Sequence, residues 1–306
     1  MTKVLILQGG TSSEREVSLR SGSSVKNALE LAGHEVGVAD PGNQDFDLAT
    51  ATRGYDIVFS VLHGTGGEDG VMQAQLDAIG IPYVGSNTVS SELCFDKWRY
   101  REKLLEAGFR VARGELVDLE SFWQSDLVKQ PFVLKPYDGG SSIDTLIQRD
   151  PNTLDRQTVE QMFANHSKML LENLVAGVEI TVPVLGDGAL PVIEIIPPES
   201  GEFDYDNKYN GQSQELCPPL HVNEDVQRHA RDMAVQIHTL CGCGGYSRTD
   251  MIVSADGSLT VLETNTLPGM TDQSLFPKAA AVAGINMPTL CSQLVQSALT
   301  NQTASA

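Results

Sequence analysis

The residues with the clearest chemical potential lie between Ser247 and Gly269, in the run SRTDMIVSADGSLTVLETNTLPG. Two alternating segments flank Asp256-Gly257, a dipeptide favoured in two-residue type I′ hairpin turns. Such a turn pairs residues whose numbers sum to 513, setting Asp250 opposite Glu263 and Arg248 opposite Asn265 on one face. It sends Met251, Val253, Leu262 and Thr264 to the other face. Facing carboxylates repel unless a cation lies between them. Asp250, Glu263 and Asn265 offer oxygen donors only, which suits Mg²⁺ shared with substrate phosphates, and Arg248 stands beside them for an anion. The bland alternative is a solvated acidic hairpin, and this stretch alone does not choose between the two.

A second chemical segment is Lys135-Pro-Tyr-Asp-Gly-Gly-Ser141-Ser142, where a strand ends in a lysine and runs into a loop rich in backbone N–H groups and hydroxyls. Such a loop suits phosphate oxygens, although a plain hairpin connection reads the same way. Near the start, Glu14 follows the first strand and His63 ends the third. Both therefore fall in the crevice at the carboxyl ends of a parallel sheet, where open α/β sheets bind ligands.

The elements that position these residues follow from periodicity. Lys3 to Leu7 reads as a buried strand, followed by a helix with Val17, Val25, Ala28 and Leu29 on one face and an end near Gly33. Strands at Glu35–Val38, Asp56–Leu62 and Ile81–Val84 extend this βαβ unit. Pro131–Lys135, Met169–Glu172, Glu179–Leu185 and Leu190–Ile196 read as later strands, and Gly186-Asp187-Gly188 as a hairpin signal. Asn223 caps an amphipathic helix that places His229 and His238 on or near its exposed side.

Composition narrows the function. The 306 residues suffice for two or three domains, and a formal net charge of -19 leaves no basic face for nucleic acid or an anionic membrane. Five cysteines without a CxxC pair suggest neither a disulfide framework nor a zinc site. With no signal-peptide pattern and no long apolar run, the expectation is a cytoplasmic protein. The chain lacks GxGxxG after the first strand and GxxxxGK[ST] throughout, which excludes a Rossmann dinucleotide site and a P-loop at the motif level.

Taken together, GGTSSEREVS, LHGTGGEDG, FDK, KPYDGGSS, LLENL, NKYNG, SRTD and LETNTLPGMT, in this order, resemble the D-alanine:D-alanine ligases of the ATP-grasp superfamily nearly end to end. The resemblance implies an α/β chain, α+β in its C-terminal part, with an ATP-grasp fold. Its division would be an N-terminal Rossmann-like parallel-sheet domain at 1–85, a central subdomain at 86–177 and a C-terminal subdomain at 178–306. It implies joining of two D-alanines through an acyl phosphate for peptidoglycan precursor synthesis, with ATP and two Mg²⁺ (or Mn²⁺) ions, in a homodimer.

By position, the resemblance sets Lys97, Lys135, Ser142, Glu172, Asn173, Leu174, Glu179 and Lys208 around the nucleotide, and Asp250, Glu263 and Asn265 on the metal. Glu14 corresponds to the acid that holds the first substrate's ammonium, with Ser141 and Tyr209 as its partners. His63 stands near the acyl phosphate, and Arg248 and the Gly269 N–H correspond to the oxyanion stabilisers. Lys208, Ser274 and Leu275 lie by the phosphate or second substrate. Three positions depart from the family pattern: Asp144 replaces a usual glycine, Asp138 a neutral or basic residue, and Asn173 a common lysine. The acids are expected to repel the triphosphate, and the Asn173 amide to take over a contact with the base. A nucleotide-binding protein without turnover, and a ligase for another amino-acid or hydroxy-acid pair, are the competing readings.

Overall fold

The computed structural model describes residues 1–140, 144–197 and 213–303. Three sheets organise them. In the first, β1 (Lys3–Leu7), β2 (Glu35–Ala39), β3 (Ile57–Ser60) and β4 (Tyr83–Val84) are parallel in the order β2-β1-β3-β4. The second holds β5 (Gly114–Val117), β6 (Phe132–Lys135), β7 (Leu146–Gln148) and β8 (Met169–Asn173), antiparallel in the order β5-β8-β6-β7. The third comprises β9 (Val178–Leu185), β10 (Gly188–Ala189), β11 (Ile193–Ile196), β12 (Gln214–Leu216), β13 (Tyr246–Val253) and β14 (Leu259–Asn265). Its order is β12-β11-β9-β13-β14, with β10 on β9.

After the exposed Lys3, β1 is buried throughout, as is β3, and neither shows the alternation of half-exposed strands. The reason is that helices cover the sheet: the Arg15–Leu31 helix packs Val25, Ala28 and Leu29 onto it. The same core takes in Leu275, Phe276, Leu290 and Leu294 from the last two helices, Leu275–Val282 and Met287–Thr303. The C-terminal end of the chain therefore closes the core of its beginning. The second sheet has its own smaller core, where the Phe122 ring meets Phe132 edge-on at 5.7 Å.

The β13–β14 hairpin has the expected register where it matters, but by another route. Arg248 pairs with Asn265 and Asp250 with Glu263, whereas Met251 pairs with Val261 and Val253 with Leu259. The ladder nearest the loop is thus one residue out of the 513 register. Gly257 has φ +80°, while Asp256 is not in the left-handed region, and Gly257 N–H donates to Ser254 O at 2.8 Å. This is a type I turn closed by a left-handed glycine, giving a longer loop in place of type I′. A bulge after Asp250 absorbs the extra residue, Leu262, and restores the pairing at the acidic end. Leu262 consequently lines a cavity with Asp250 and Glu263 rather than facing away from them.

His238 also departs from expectation. It is buried on the Glu224–Leu240 helix with Nδ1 2.7 Å from Ser247 Oγ, while His229 is exposed. Burial holds the His238 pKa below its ordinary value. A depressed folded pKa means stability that is complete above the unfolded value, about 6.5, and is lost as pH falls toward the folded one. Replacing the pair together, His238→Leu with Ser247→Ala, is expected to flatten the fall in melting temperature as pH is lowered through that range. An unchanged slope in scanning calorimetry excludes His238 as its source.

Candidate active site

Two cavities meet at the acidic end of the hairpin. The smaller, about 430 Å³, lies between the second and third sheets and is bordered by Lys135, Glu172, Leu174, Glu179 and Asp250. The larger, about 760 Å³, runs toward the first sheet and is bordered by Glu14, His63, Arg248, Asn265, Gly269, Ser274 and Leu275. Lys97, Gly139, Gly140 and Glu263 line both. Four sequence expectations, Ser141, Ser142, Lys208 and Tyr209, lie outside the described residues.

Charge alternates around the smaller cavity. Lys135 ends β6, and its Nζ lies 2.8 Å from Glu172 Oε2 on neighbouring β8. Burial alone would lower the Lys135 pKa, but the charges of Glu172 and Glu263 outweigh it and hold the amine above its ordinary value, fully protonated. Lys97 opens the Lys97–Glu106 helix, which Asp96 caps by accepting from Arg99 N. Its Nζ stands 3.7 Å from Glu263 Oε2 and donates to Gly139 O. The cations that could meet phosphate are thus held beside carboxylates that could share a metal.

On β13, Arg248 forms a bidentate pair with Asp250, Nε to Oδ1 at 3.1 Å and Nη2 to Oδ2 at 3.0 Å. Thr181, on neighbouring β9, donates to Asp250 Oδ1 as well. Asn265 Oδ1 accepts from Leu267 N at 2.8 Å and retains a second lone pair. Tyr100, on the same helix as Lys97, reaches Thr264 Oγ1 at 2.7 Å and ties that helix to the back of the hairpin. This donor set of two carboxylates and one amide, in register on adjacent strands, fits a hard divalent ion.

In the larger cavity, Glu14 is buried at the start of the Arg15–Leu31 helix. Gly64 packs so closely that a Cβ there would stand 2.9 Å from Glu14 Oε2, at a backbone φ of +69° that itself favours glycine. His63 is held on two sides, with Nε2 3.4 Å from Ser21 Oγ and Nδ1 3.4 Å from Glu68 Oε1. Ser21 also accepts from Met270 N at 3.3 Å, which joins the helix to the loop carrying Gly269. Ser274 Oγ accepts from Thr271 N at 3.0 Å in that loop. Ser21, Tyr100, Arg101 and Thr181 escaped the sequence reading because no short motif links them to the residues they hold, whereas Glu68 shares the LHGTGGEDG run with His63 and could have been singled out there.

Two departures acquire a different physical meaning. Asp144 has φ +53°, and its Oδ2 sits 2.8 Å from His166 Nε2, so its carboxylate already has a partner. The expected repulsion of a triphosphate therefore competes with this contact, which is lost together with the charge when Asp144 is replaced. Asp144→Gly removes left-handed strain together with that contact, and the ATP KM is expected to change less than about twofold. Steady-state kinetics at varied ATP checks this; a drop of about tenfold would show that the repulsion dominates. Asn173 follows Glu172 on β8 and pairs with core Phe132, so alternation turns its side chain to the opposite face from Glu172. Its Oδ1 is buried without a hydrogen-bond partner in the protein, while the residue itself is among those lining the smaller cavity.

Two sheets clasping a cavity that carries lysines on one side and paired oxygen donors on the other define an ATP-grasp architecture, beside a parallel-sheet unit. Family models described as D-ala D-ala ligase N-terminus and D-ala D-ala ligase C-terminus match residues 38–86 and 115–296. The D-alanine--D-alanine ligases of Syntrophobacter fumaroxidans and Sphingopyxis alaskensis are 42% and 40% identical, each over 97% of this chain and 97% and 98% of theirs. Among solved structures, that of the D-alanine--D-alanine ligase from Bacillus anthracis aligns with a TM-score of 0.86 at 30% identity, covering 100% of both chains. The same ligase complexed with ATP gives 0.85 at 28%, also over 100% of both. A D-Ala:D-Ser ligase from Enterococcus faecalis gives 0.79 at 25%, over 96% of this chain and 98% of that one. The chain belongs to the D-alanine–D-alanine ligase family.

Proposed function

We propose that the protein joins two D-alanines to D-alanyl-D-alanine through an acyl phosphate, using ATP, for peptidoglycan precursor synthesis. The observation that carries this reading is the junction of the two cavities at Lys97 and Glu263. A nucleotide in the smaller cavity and an amino acid in the larger can exchange a phosphoryl group only there. Lys135 and Lys97 disperse the charge of the transferring group, a reaction in which positioning and electrostatics supply most of the catalysis. Asp250, Glu263 and Asn265 would hold Mg²⁺ or Mn²⁺, two ions in all, which when bound neutralise phosphate oxygens. Glu172, Asn173, Leu174 and Glu179 border the rest of the smaller cavity, where the base and ribose of the nucleotide would lie.

In the larger cavity the Glu14 carboxylate binds the first substrate's ammonium and leaves its carboxylate free to attack. The second amine, in its neutral form, then attacks the acyl carbon, while Arg248 and the Gly269 N–H face the developing oxyanion; the C–O bond to phosphate breaks, inorganic phosphate leaves and the amide nitrogen sheds a proton. His63, fixed by Ser21 and Glu68, borders the same space, and Ser274 and Leu275 close its far side. Ser141, Ser142, Lys208 and Tyr209 keep the roles the resemblance assigns them. The intact Tyr209 favours an amine over a hydroxyl nucleophile. The reading also includes a homodimer in the cytoplasm and the three-part division at 1–85, 86–177 and 178–306. No helix among the described residues is long and apolar enough to cross a membrane.

The test is a mass-spectrometric screen with ATP, Mg²⁺ and an equimolar mixture of D- and L-amino acids and D-lactate. D-alanyl-D-alanine with stoichiometric ADP is the expected product. A dominant D-alanyl-D-serine or D-alanyl-D-lactate would replace the second substrate, and nucleotide binding without any ADP would replace the reaction.

A further inference from the structure

Arg101 has no place in the mechanism above, yet it is buried one helical turn beyond Lys97, behind Glu172, which lines the smaller cavity. Its Nη1 donates to Ala112 O, its Nη2 to Gly114 O at 3.5 Å, and its guanidinium carbon lies 5.5 Å from the centre of the Trp98 ring. These contacts fix the guanidinium plane. Nη1 then stands 3.6 Å from Glu172 Oε1, while the other oxygen of Glu172 meets Lys135 at 2.8 Å. With Glu263 beside Lys97, the side chains form an alternating series from Arg101 through Glu172, Lys135 and Glu263 to Lys97, three cations against two carboxylates. The series begins and ends on one helix.

We propose that Arg101 is a positioning residue for the nucleotide: it draws Glu172 to one side, so that Lys135 keeps its charge directed at the triphosphate. Without Arg101, Glu172 pairs with Lys135 alone and offsets more of the charge that Lys135 directs at the phosphates. Lysine at this position keeps the charge but cannot make the fork of contacts that aims it. The inference rests on the reading that ATP occupies the smaller cavity.

Steady-state kinetics of Arg101→Met, Arg101→Lys, Glu172→Gln and the double variant Arg101→Met/Glu172→Gln test it. Arg101→Met should raise the ATP KM about tenfold, an effect of the size usual for coupled neighbouring charges, with a smaller change in kcat and none in the D-alanine KM. Arg101→Lys should fall between it and the wild type. In the Glu172→Gln background, Arg101→Met should add nothing. An ATP KM equal to the wild type's, an equal rise in both KM values, or additive effects with Glu172→Gln overturn the proposal. Should Arg101→Met fail to fold, Arg101→Lys decides by the same measurement, and a wild-type ATP KM in it overturns the proposal. A Lys135→Met variant separates the two readings. Unchanged ATP affinity together with unchanged turnover there fails the cavity assignment itself, whereas an impaired Lys135→Met with a neutral Arg101→Met fails only the role of Arg101.

Discussion

Asp250→Asn and Glu263→Gln are each expected to reduce ligation by about 10³-fold, because each takes a formal charge from a site that must offset several phosphate oxygens. Several kcal/mol of transition-state stabilisation corresponds to that factor. The two variants should differ in stability. Asp250 is buried and doubly bonded by Arg248, and it accepts from Thr181, so Asp250→Asn leaves Arg248 with a weakened partner. Glu263 is more open, with its side chain one-third exposed, and Glu263→Gln should melt close to the wild type. Titration with Mg²⁺ while following ADP release and dipeptide mass checks the metal assignment. Near-normal turnover in both variants, with the same Mg²⁺ requirement, would remove these residues from the metal site.

The second large effect is expected of Lys135→Met. This lysine faces Glu172 and Glu263, so the substitution both removes a phosphate partner and leaves two carboxylates facing the triphosphate with less compensation. The ATP KM should rise by about 100-fold or more, since losing one member of a buried, hydrogen-bonded charge pair typically costs several kcal/mol. The D-alanine KM should move far less, because Lys135 borders only the smaller cavity. Binding of a fluorescent ATP analogue, measured apart from turnover, distinguishes lost affinity from lost chemistry. Tight binding with turnover abolished would assign Lys135 to the transferring phosphoryl group rather than to ground-state binding.

Much of the site was legible in local pattern. Alternation around Asp256-Gly257 identified the hairpin and set Asp250 against Glu263, and the donor types alone indicated a hard cation. The expected type I′ turn did not form, and the pairing at the acidic end survives because the bulge at Leu262 cancels the longer loop. Either turn is open to an Asp-Gly pair, and packing of the strand against β9 decides between them at a cost too small to read from a dipeptide. His238 was placed near the exposed side by helical period, but the strand bearing Ser247 covers it.

By itself, the sequence determined what depends on neighbours along the chain: the strands and helices, the oxygen donors in register on one hairpin, the lysine that ends β6, and the family. Tertiary structure alone decided which distant groups meet. It brought the last helices against the first sheet, turned Asp144 toward His166, clamped Asp250 with Arg248 and Thr181, and carried Arg101 to Glu172. Periodicity assigns a side chain to a face but not to a partner. Partners follow from how sheets and helices close on one another, and that closure is driven by burial of apolar surface summed over the whole chain.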